Sequence, residues 1–541
     1  MKKRASFHHT AVLALAACIP GGVAGQGSLL PPGPPVAPAV TLQHLAPATL
    51  LPDPHGRPGL AAAPFYLTEP GHYQLDANIS LEGATALVIA SAFVTLDLGG
   101  HVVSITGSAP AETAILVDSA HAEGGVVIRN GTIRGRFERA VYVRPTLNGT
   151  AASMVRVEDV LLQPRKTEVT GVVEPSLQGG IILGPLSRIV RCRLEVEDEG
   201  NASWLPYPFV EGNRLGVLVG RGGFIEEVEL QGAALAAGSG SYVRRIAIHR
   251  YSETPRSNEA ESVRPAVTLG HGTVARELFI DTGTSVLDAG SAVRLDDVFV
   301  SERPSGDIRI LSAALITRFN HPAGASGRLL YHDALRIDQS YLRGALVPFQ
   351  DARYAHLTAS HIENDSGHSF TLSLPRGSVV HACSITGGEV IVYGRAGSPL
   401  YPAAHIRMTG SSVYGTVDTL SSGVITTSGA DLPPSSVLEG NHFENILHFM
   451  AQVDAGTLVR RNRFVNVAPV TAGTALVPQG GGLFIVENDF LNLSRILPAH
   501  PGVLEKLENT VSGPLETSPV WNADLSPFAN TYHNILNSPV P

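Results

Sequence analysis

Lysine and cysteine are both scarce in this chain for its size. Its 541 residues include only four lysines and three cysteines. Three cysteines cannot build a disulfide framework, so we expect Cys192 and Cys383 to be small buried residues. Two of the lysines stand at positions 2 and 3, in a leader. The other two are Lys166 and Lys506, of which Lys166 is the plausible lysine base, and we favour histidine and arginine chemistry instead.

Charged residues are also few, at 16 % of the chain against 44 % hydrophobic residues, and the formal net charge is −9. Disordered chains combine high charge with little to bury, so this composition predicts a folded protein. Binding to nucleic acid needs a basic surface, so we expect no nucleic-acid partner.

A long hydrophobic run is absent as well. The apolar run at residues 11–19 is too short to span a bilayer, but it follows the basic start MKKR and precedes PGG and VAG. This pattern predicts an export signal over residues 1–25. Alternatively, the LAAC sequence ending at Cys18 resembles a lipobox, which implies a lipid anchor. Residues 26–63, rich in Pro and Ala, predict a linker. We expect a bacterial protein that is periplasmic, outer-membrane-associated or secreted.

A short unit recurs along most of the chain. A small polar residue is followed by any residue, an apolar residue, any residue, and Asn or Gly. The clear copies start at 340 (SYLRG), 360 (SHIEN), 383 (CSITG), 411 (SSVYG), 441 (NHFEN), 462 (NRFVN) and 488 (NDFLN). Weaker copies start at Gly131, Cys192, Val228, Ile246, Glu277 and Asp297. Alternation with period two and repeats of 20 to 30 residues predict stacked coils of short strands. Asn441, Asn462 and Asn488 are expected to stack at an inner turn, and Phe443, Phe464 and Phe490 inside the coils.

The segments 64–75 (PFYLTEPGHYQL), 94–101 (VTLDLGGH) and 128–135 (IRNGTIRG) resemble the opening of the pectin-lyase-like superfamily of right-handed parallel β-helix proteins. The resemblance implies an all-β fold: a single right-handed parallel β-helix of roughly fifteen coils over residues 64–495. It also implies an N-terminal cap and a C-terminal capping tail over 496–541. It does not imply one activity, because this architecture carries lyases, hydrolases, epimerases, tailspikes and non-catalytic adhesins.

Outward positions of successive repeats are expected to lie side by side. This brings together Tyr341, Arg343, His361 and Glu363, the candidate catalytic residues. In a site that cleaves or epimerises a glycan, His361 would act as base and Arg343 would stabilise developing charge, while Tyr341 or Glu363 would act as acid. The alternative is that these are exposed polar residues in ordinary cross-strand pairs.

Four further residues are candidates for substrate binding. His442 and Glu444 continue the outward ladder, and Trp204 and Tyr207 lie in an insert between coils. Exposed aromatic rings stack on sugar faces, although the insert could instead fold down and bury both rings.

No metal-ligand spacing stands out, and the acidic cluster at 195–199 (EVEDE) would hold Ca²⁺ only weakly. We therefore expect no cofactor. The catalytic signatures of polygalacturonase-like hydrolases and of pectate lyases are incomplete. The sequence favours an exported carbohydrate-active protein with a polysaccharide partner, which it binds and cleaves by β-elimination or hydrolysis, or epimerises. The alternative is a non-catalytic β-helix adhesin or envelope protein.

Overall fold

In the computed structural model, all described residues belong to one unit, Ala48–Pro541. The described residues are 48–106, 111–146, 149, 151–164, 167–169, 172–174, 179–195, 215–251, 265–282, 286–301, 307–321, 328–332, 334–348, 354–363, 372–375, 377–387, 390–393, 407–414, 423–426, 436–449, 451–453, 458–469, 476–478, 484–486, 488–491, 507–512 and 532–536.

Short parallel strands make up the regular structure of these residues. Each strand pairs with the equivalent strand of the next coil, and three such ladders run side by side. Connections between parallel strands are right-handed almost without exception, and the fold is the right-handed parallel β-helix that the sequence predicts. The described ranges contain no helix, and so none long and apolar enough to cross a membrane.

The strands form three ladders, and a further group of longer strands bends from the second ladder into the third. The first ladder contains Phe65–Leu67, Leu87–Ile89, Ala111–Asp118, Phe137–Arg144, Gly179–Leu183, Leu215–Val219, Ala234–Ala237, Val267–Leu269, Leu287–Ala289, Ile308–Ile310, Arg328–Tyr331, Ala345–Pro348, Leu372–Pro375, Val390–Tyr393 and Gly423–Thr426. The second ladder contains Thr49–Leu51, Gly71–Leu75, Val94–Asp97, Arg188–Val190, Ala334–Asp338, Tyr354–Thr358, Val379–His381, Arg407–Thr409, Val437–Glu439, Leu458–Arg460 and Phe484–Val486. Strands that bend from the second ladder into the third are Val127–Gly135, Arg156–Pro164, Phe224–Gln231, Tyr242–Tyr251, Val274–Thr282, Arg294–Val300 and Ala314–His321. The third ladder continues with Ile79–Glu82, Val102–Thr106, Arg193–Leu194, Tyr341–Arg343, His361–Glu363, Ser384–Thr386, Ser412–Tyr414, His442–Phe449, Arg463–Pro469, Asp489–Leu491, Leu507–Ser512 and Tyr532–Leu536.

Two strand pairs lie outside these ladders. Thr167–Val169 and Val172–Glu174 form an antiparallel hairpin. Ala451–Val453 and Leu476–Pro478 pair in parallel.

The bend between the second and third ladders is made in the same way in coil after coil. One residue adopts a positive φ, a region that is uncommon for residues other than glycine. The residues at this corner are Asn130, Asp159, Arg191, Glu227, Arg245, Glu277, Asp297, Arg318, Gln339, Ala359, Ala382, Gly410, Gly440 and Arg461, with φ between 48° and 66°. Several of their backbone N–H groups donate to a carbonyl of the next coil, as Ala359 does to His381 at 2.9 Å.

From Asp159 onward, the residue after this corner is buried, and from Ser340 onward it is Ser, Cys or Asn. Where it is Ser or Asn, its side-chain oxygen accepts the backbone N–H of the preceding coil: Ser360 Oγ from Ser340 at 3.1 Å, and Asn441 Oδ1 from Ser411 at 3.0 Å. Asn462 Oδ1 accepts both the backbone N–H and the side-chain N–H of Asn441, at 3.0 and 2.9 Å. The predicted stack of asparagines at an inner turn is therefore confirmed.

Inward side chains of the three ladders form one apolar core. Phe443 and Phe464 stack inside it, with ring centroids 4.9 Å apart, while Phe490 stands opposite Phe464 in register. Cys192 and Cys383 are buried and free, as predicted. Burial raises the pKa of the Cys192 thiol to about 12 and also raises that of Cys383, so both thiols stay protonated.

The outer surface of the corner carries alternating charges. Asp159 pairs with Arg191, with Nε and Oδ1 2.6 Å apart, and Arg245 pairs with Glu227. Arg245 Nε also lies 4.0 Å from Glu277 Oε2. Two coils further on, Arg318 Nε lies 2.5 Å from Asp297 Oδ1. The neighbouring guanidinium groups lower the pKa of Asp159 and of Asp297. We call this row of residues the corner charge row.

The solenoid reaches beyond its predicted limits at both ends. Thr49–Leu51 pairs in parallel with Gly71–Leu75, and Leu51 is fully buried. A strand of the second ladder therefore lies within the segment predicted as a linker. At the other end, Leu507–Ser512 pairs with Asp489–Leu491 and then with Tyr532–Leu536. The predicted capping tail thus contains strands that extend the third ladder.

The asparagine stack predicts a local loss of stability when one member is shortened. In Asn462→Ala, the backbone and side-chain N–H groups of Asn441 lose their acceptor. We expect unfolding to become easier by about 2 kcal/mol or more, because buried groups are left unsatisfied. Hydrogen exchange measured by mass spectrometry on a peptide that covers residues 438–444 should accelerate. The exposed Arg463→Ala variant is the control, and equal exchange in both variants would contradict the prediction.

Candidate functional site

The outward face of the third ladder consists of two columns of side chains, because alternate residues of a strand point to the same side. The first column is Arg193, Glu229, Ala247, Phe279, Phe299, Asn320, Tyr341, His361, Ser384, Ser412, His442 and Arg463. The second column lies two residues further along each coil and contains Glu195, Gln231, His249, Asp281, Ser301, Arg343, Glu363, Thr386, Tyr414 and Glu444. We call the two columns the outer face.

Three of the four candidate catalytic residues are in direct contact on this face. The Tyr341 and His361 rings stack with their centroids 5.2 Å apart and their planes 7° apart. The Tyr341 hydroxyl donates to Glu363 Oε2 at 2.6 Å, and His361 Nε2 lies 3.8 Å from the same oxygen. All three side chains are partly exposed. We call these three residues the Tyr341 cluster.

Arg343, the fourth candidate, is placed by the same register. It stands directly opposite Glu363 on the adjacent strand and is partly exposed. Its backbone carbonyl lies 3.1 Å from Nδ1 of His321, which belongs to the preceding coil. The structure thus brings all four predicted residues onto two neighbouring strands, while their catalytic roles stay predictions.

A second His–Glu pair lies three coils further along. His442 Nε2 is 2.9 Å from Glu444 Oε2, and the His442 ring lies 5.8 Å from the Tyr414 ring at 38°. Three strand spacings separate it from the Tyr341 cluster, about 14 Å. The hydroxyl residues Ser384 and Ser412 stand between His361 and His442 in the first column.

The Tyr341 cluster has the groups that general acid–base chemistry needs. A phenol that donates to a carboxylate, beside an imidazole, can deliver or remove a proton at a hydroxyl or a ring carbon of a bound sugar. The partial exposure of these groups leaves them open to a ligand that lies on the outer face. The arrangement therefore suits both the binding of polar groups and proton transfer.

The remaining predictions for binding and metal sites fall largely outside the described residues. Trp204, Tyr207, Lys166 and Cys18 all lie there. Of the acidic cluster at 195–199, only Glu195 is described, and its carboxylate lies 2.6 Å from Arg193 Nε. Across the described ranges, no three His, Cys, Asp or Glu side chains come together as a set of metal ligands.

Phe279 and Phe299 are outer-face residues that the sequence reasoning missed. The repeat copies predicted to start at Glu277 and Asp297 start instead at Leu278 and Val298, as the pairing of Leu278 with Val298 shows. A shift of one residue reverses the face of every side chain in a strand. The two phenylalanines therefore point outward rather than into the core. The positive φ of Glu277 marks it as the corner residue, which the residue types alone do not reveal.

His321 occupies a position in the core where neighbouring coils place Val300 and Leu342. A carbonyl oxygen can only accept, so Nδ1 donates to the Arg343 carbonyl and Nε2 carries no proton. Nε2 is buried, and no described residue hydrogen-bonds to it. Burial lowers the pKa of His321 to about 4, because an imidazolium would lose its hydration in this apolar setting.

Comparison with known proteins identifies no family. No protein-family model matches the sequence, and no curated protein matches it either. Among solved structures, the chain is similar to the Dettilon tailspike protein, with 13 % identity, a TM-score of 0.20, and coverage of 76 % of this chain and 61 % of the tailspike. It is also similar to the A-module of the Azotobacter vinelandii mannuronan C-5 epimerase AlgE4, with 10 % identity, a TM-score of 0.13, and coverage of 82 % and 91 %. The chain thus spans less than two thirds of the tailspike's length, and the fold assignment rests on the strand pairing described above.

The neutral, buried His321 predicts a loss of stability in acid. Below pH 6.5 the unfolded chain binds a proton at this imidazole, while the folded chain resists protonation down to about pH 4. This site therefore contributes its full stability above pH 6.5 and loses it as the pH falls towards 4. The loss amounts to roughly 3 kcal/mol.

Denaturant unfolding measured between pH 7 and pH 4 tests this prediction. We expect the difference in unfolding free energy between wild type and His321→Leu to shift in favour of the variant as the pH falls. The exposed His121→Gln variant is the control and should keep the wild-type profile. Parallel pH profiles for wild type and His321→Leu would show that His321 does not titrate as described.

Proposed function

We propose that the protein binds a polysaccharide along the outer face, and that the Tyr341 cluster is where a bound sugar exchanges a proton. The observation that carries the proposal is the contact of three functional groups on one partly exposed patch. The Tyr341 hydroxyl lies 2.6 Å from Glu363, and the Tyr341 ring stacks on the His361 ring. Tyr341 and His361 come to the patch from the same position of two successive repeats, and Glu363 from the position two residues further along the second one.

The composition of the outer face supports a polyhydroxylated ligand. Between the Tyr341 cluster and the His442–Glu444 pair, the columns present the hydroxyl groups of Ser384, Thr386, Ser412 and Tyr414. Hydroxyl and carboxylate groups hydrogen-bond sugar hydroxyls, and aromatic rings stack on their apolar faces. A ligand that is extended along the coils would meet these groups one after another.

The roles within the cluster follow from the chemistry of each group. In this proposal His361 acts as the base, and Arg343 stabilises negative charge that develops on the sugar. Tyr341 or Glu363 protonates the leaving oxygen. In β-elimination and epimerisation, His361 removes a ring proton beside a uronate carboxylate, and Arg343 stabilises the charge that forms there. In hydrolysis, His361 instead takes the proton of the attacking water while Tyr341 or Glu363 protonates the oxygen that leaves.

A non-catalytic adhesin or envelope protein is the second candidate, and one observation favours it. The Tyr341 hydroxyl and the Glu363 carboxylate already hydrogen-bond each other, as cross-strand pairs on a solvated sheet do. In that case the outer face binds a glycan without changing it. Both candidates place the protein outside the cytoplasm, in the periplasm, at the outer membrane or in the medium, which is where the predicted export signal would send it.

Substitutions on and off the outer face test the proposal. The variants His361→Ala and Glu363→Gln should weaken binding to the recognised glycan by about tenfold or more, as expected for loss of a polar anchor. If the cluster is catalytic, turnover should fall by a factor of about 10² to 10⁴. Binding is measured by affinity electrophoresis and calorimetry on a panel of neutral and uronate glycans. Turnover is followed through reducing ends, unsaturated products and deuterium incorporation at ring carbons.

The second ladder offers a matched control. Tyr354 and His356 form a similar ring pair with centroids 5.3 Å apart, away from the outer face. His356→Ala should leave binding unchanged. Binding without any product would favour the adhesin. The proposal fails if no glycan binds, or if His356→Ala and His361→Ala have equal effects.

A further inference from the structure

Two phenylalanine rings are exposed next to one another on the outer face. The rings of Phe279 and Phe299 stack with centroids 5.6 Å apart and planes 6° apart, and Phe299 is 40 % exposed. The His249 ring lies 5.4 Å from that of Phe279. The ring stack thus runs through three successive coils and ends in a phenylalanine that is open to solvent.

Polar groups border these rings in the second column. The Ser301 hydroxyl donates to Asp281 Oδ1 at 2.7 Å, and both side chains are partly exposed. An apolar ring beside a carboxylate and a hydroxyl is the combination that holds a sugar, because the ring contacts C–H groups while the polar atoms meet hydroxyls. A purely apolar partner would cover the partly exposed Asp281 carboxylate without offering it a hydrogen bond.

The position of these rings continues the Tyr341 cluster. Phe299, Asn320 and Tyr341 are consecutive members of the first column. Phe299 lies two strand spacings from Tyr341, about 10 Å. A chain that occupies the Tyr341 cluster and runs along the coils would reach Phe299 without a change of direction.

The charges of the outer face select between classes of glycan. Over the seven coils from Phe279 to Tyr414, its described positions include one cationic side chain, Arg343, and two carboxylates, Asp281 and Glu363. A polyuronate carries a carboxylate on every sugar and needs a row of cations to match it. Aromatic and hydroxyl groups instead match a chain of neutral sugars.

We infer that Phe279, Phe299, Asp281 and Ser301 form a sugar-binding subsite, and that the outer face takes a neutral polysaccharide rather than a polyuronate. On a neutral glycan the reaction of the proposed function is hydrolysis, because β-elimination and epimerisation need a uronate carboxylate beside the ring carbon that loses its proton. The inference rests on the proposed function, because it extends the same binding face. It assigns to the rings the role of an apolar platform for sugar units two coils away from the Tyr341 cluster.

The full-length protein is tested against two sets of glycans, one neutral (dextran, laminarin, galactomannan and xylan) and one uronate (alginate and polygalacturonate). We expect binding within the neutral set, and an affinity that changes less than twofold between low and high salt, because screening weakens only charged contacts. Phe299→Ala should lower the affinity by about tenfold or more, and Phe299→Trp should keep it.

Tyr354→Ala is the matched control, because Tyr354 is 41 % exposed but lies on the second ladder. It should bind like wild type. Thermal unfolding of each variant, compared with wild type, checks that the coil is intact. Since Phe299 is exposed, its removal should leave the unfolding midpoint nearly unchanged.

The outcomes separate this inference from the proposed function. Preference for alginate or polygalacturonate, with binding lost at high salt, overturns the assignment to a neutral glycan. If Phe299→Ala binds normally while His361→Ala does not, the subsite is wrong and the proposed function stands. If no glycan binds in either set, both fail.

Discussion

From Asn130 to Arg461, each coil that the structure describes turns the chain from the second ladder into the third with a single corner residue, and the rest of the structure depends on that bend. The corner residue adopts a positive φ, and from Asp159 onward the next residue is buried. A buried backbone N–H must find an acceptor. From Ser340 onward that acceptor belongs to the side chain of the equivalent residue one coil later and is an oxygen where that residue is Ser or Asn, as in the bonds from Ser340 to Ser360 and from Asn441 to Asn462. Stacking and bending are therefore parts of the same interaction.

The bend also sets the phase of the strand that follows it, that is, which of its side chains point inward and which point outward. Because the buried residue is fixed at the corner, the next residue must point outward and the one after it inward. Tyr341, His361 and His442 are brought into one column in this way, although 20 to 101 residues separate them in sequence. A solenoid can therefore assemble an extended binding surface from one position of a short repeat.

How well the sequence predicts the phase depends on which residue follows the corner. In some coils that residue is Ser, Cys or Asn, and its residue type among apolar neighbours identifies the buried position. In these coils the predicted pairing of Tyr341 with His361 and of Arg343 with Glu363 agrees with the structure. In the coils of Leu278 and Val298 this residue is aliphatic, and several apolar residues follow one another, so the pattern fits two phases.

The ends of the solenoid were hard to predict for a related reason. Residues 48–63 contain a strand that pairs in parallel, but their proline and alanine content is typical of a linker. Residues 509–513 (NTVSG) fit the repeat but were not recognised as a copy of it, and Leu507–Ser512 extends the third ladder. The buried position of His321 was not predicted, because the equivalent residues of the neighbouring coils are aliphatic and a histidine does not continue their apolar pattern. Backbone pairing, which composition does not record, decides all three cases.

The corner charge row constrains how such a chain can change in length. From Asp159 through Arg191, Glu227 and Arg245 to Glu277, the sign of the charge alternates with each coil. Deleting one interior coil of this block would set like charges side by side, for example Asp159 beside Glu227. Deleting two adjacent coils would set Asp159 beside Arg245 and preserve the pairing. In this block the unit that can be lost or duplicated without electrostatic penalty is a pair of coils, twice the structural repeat.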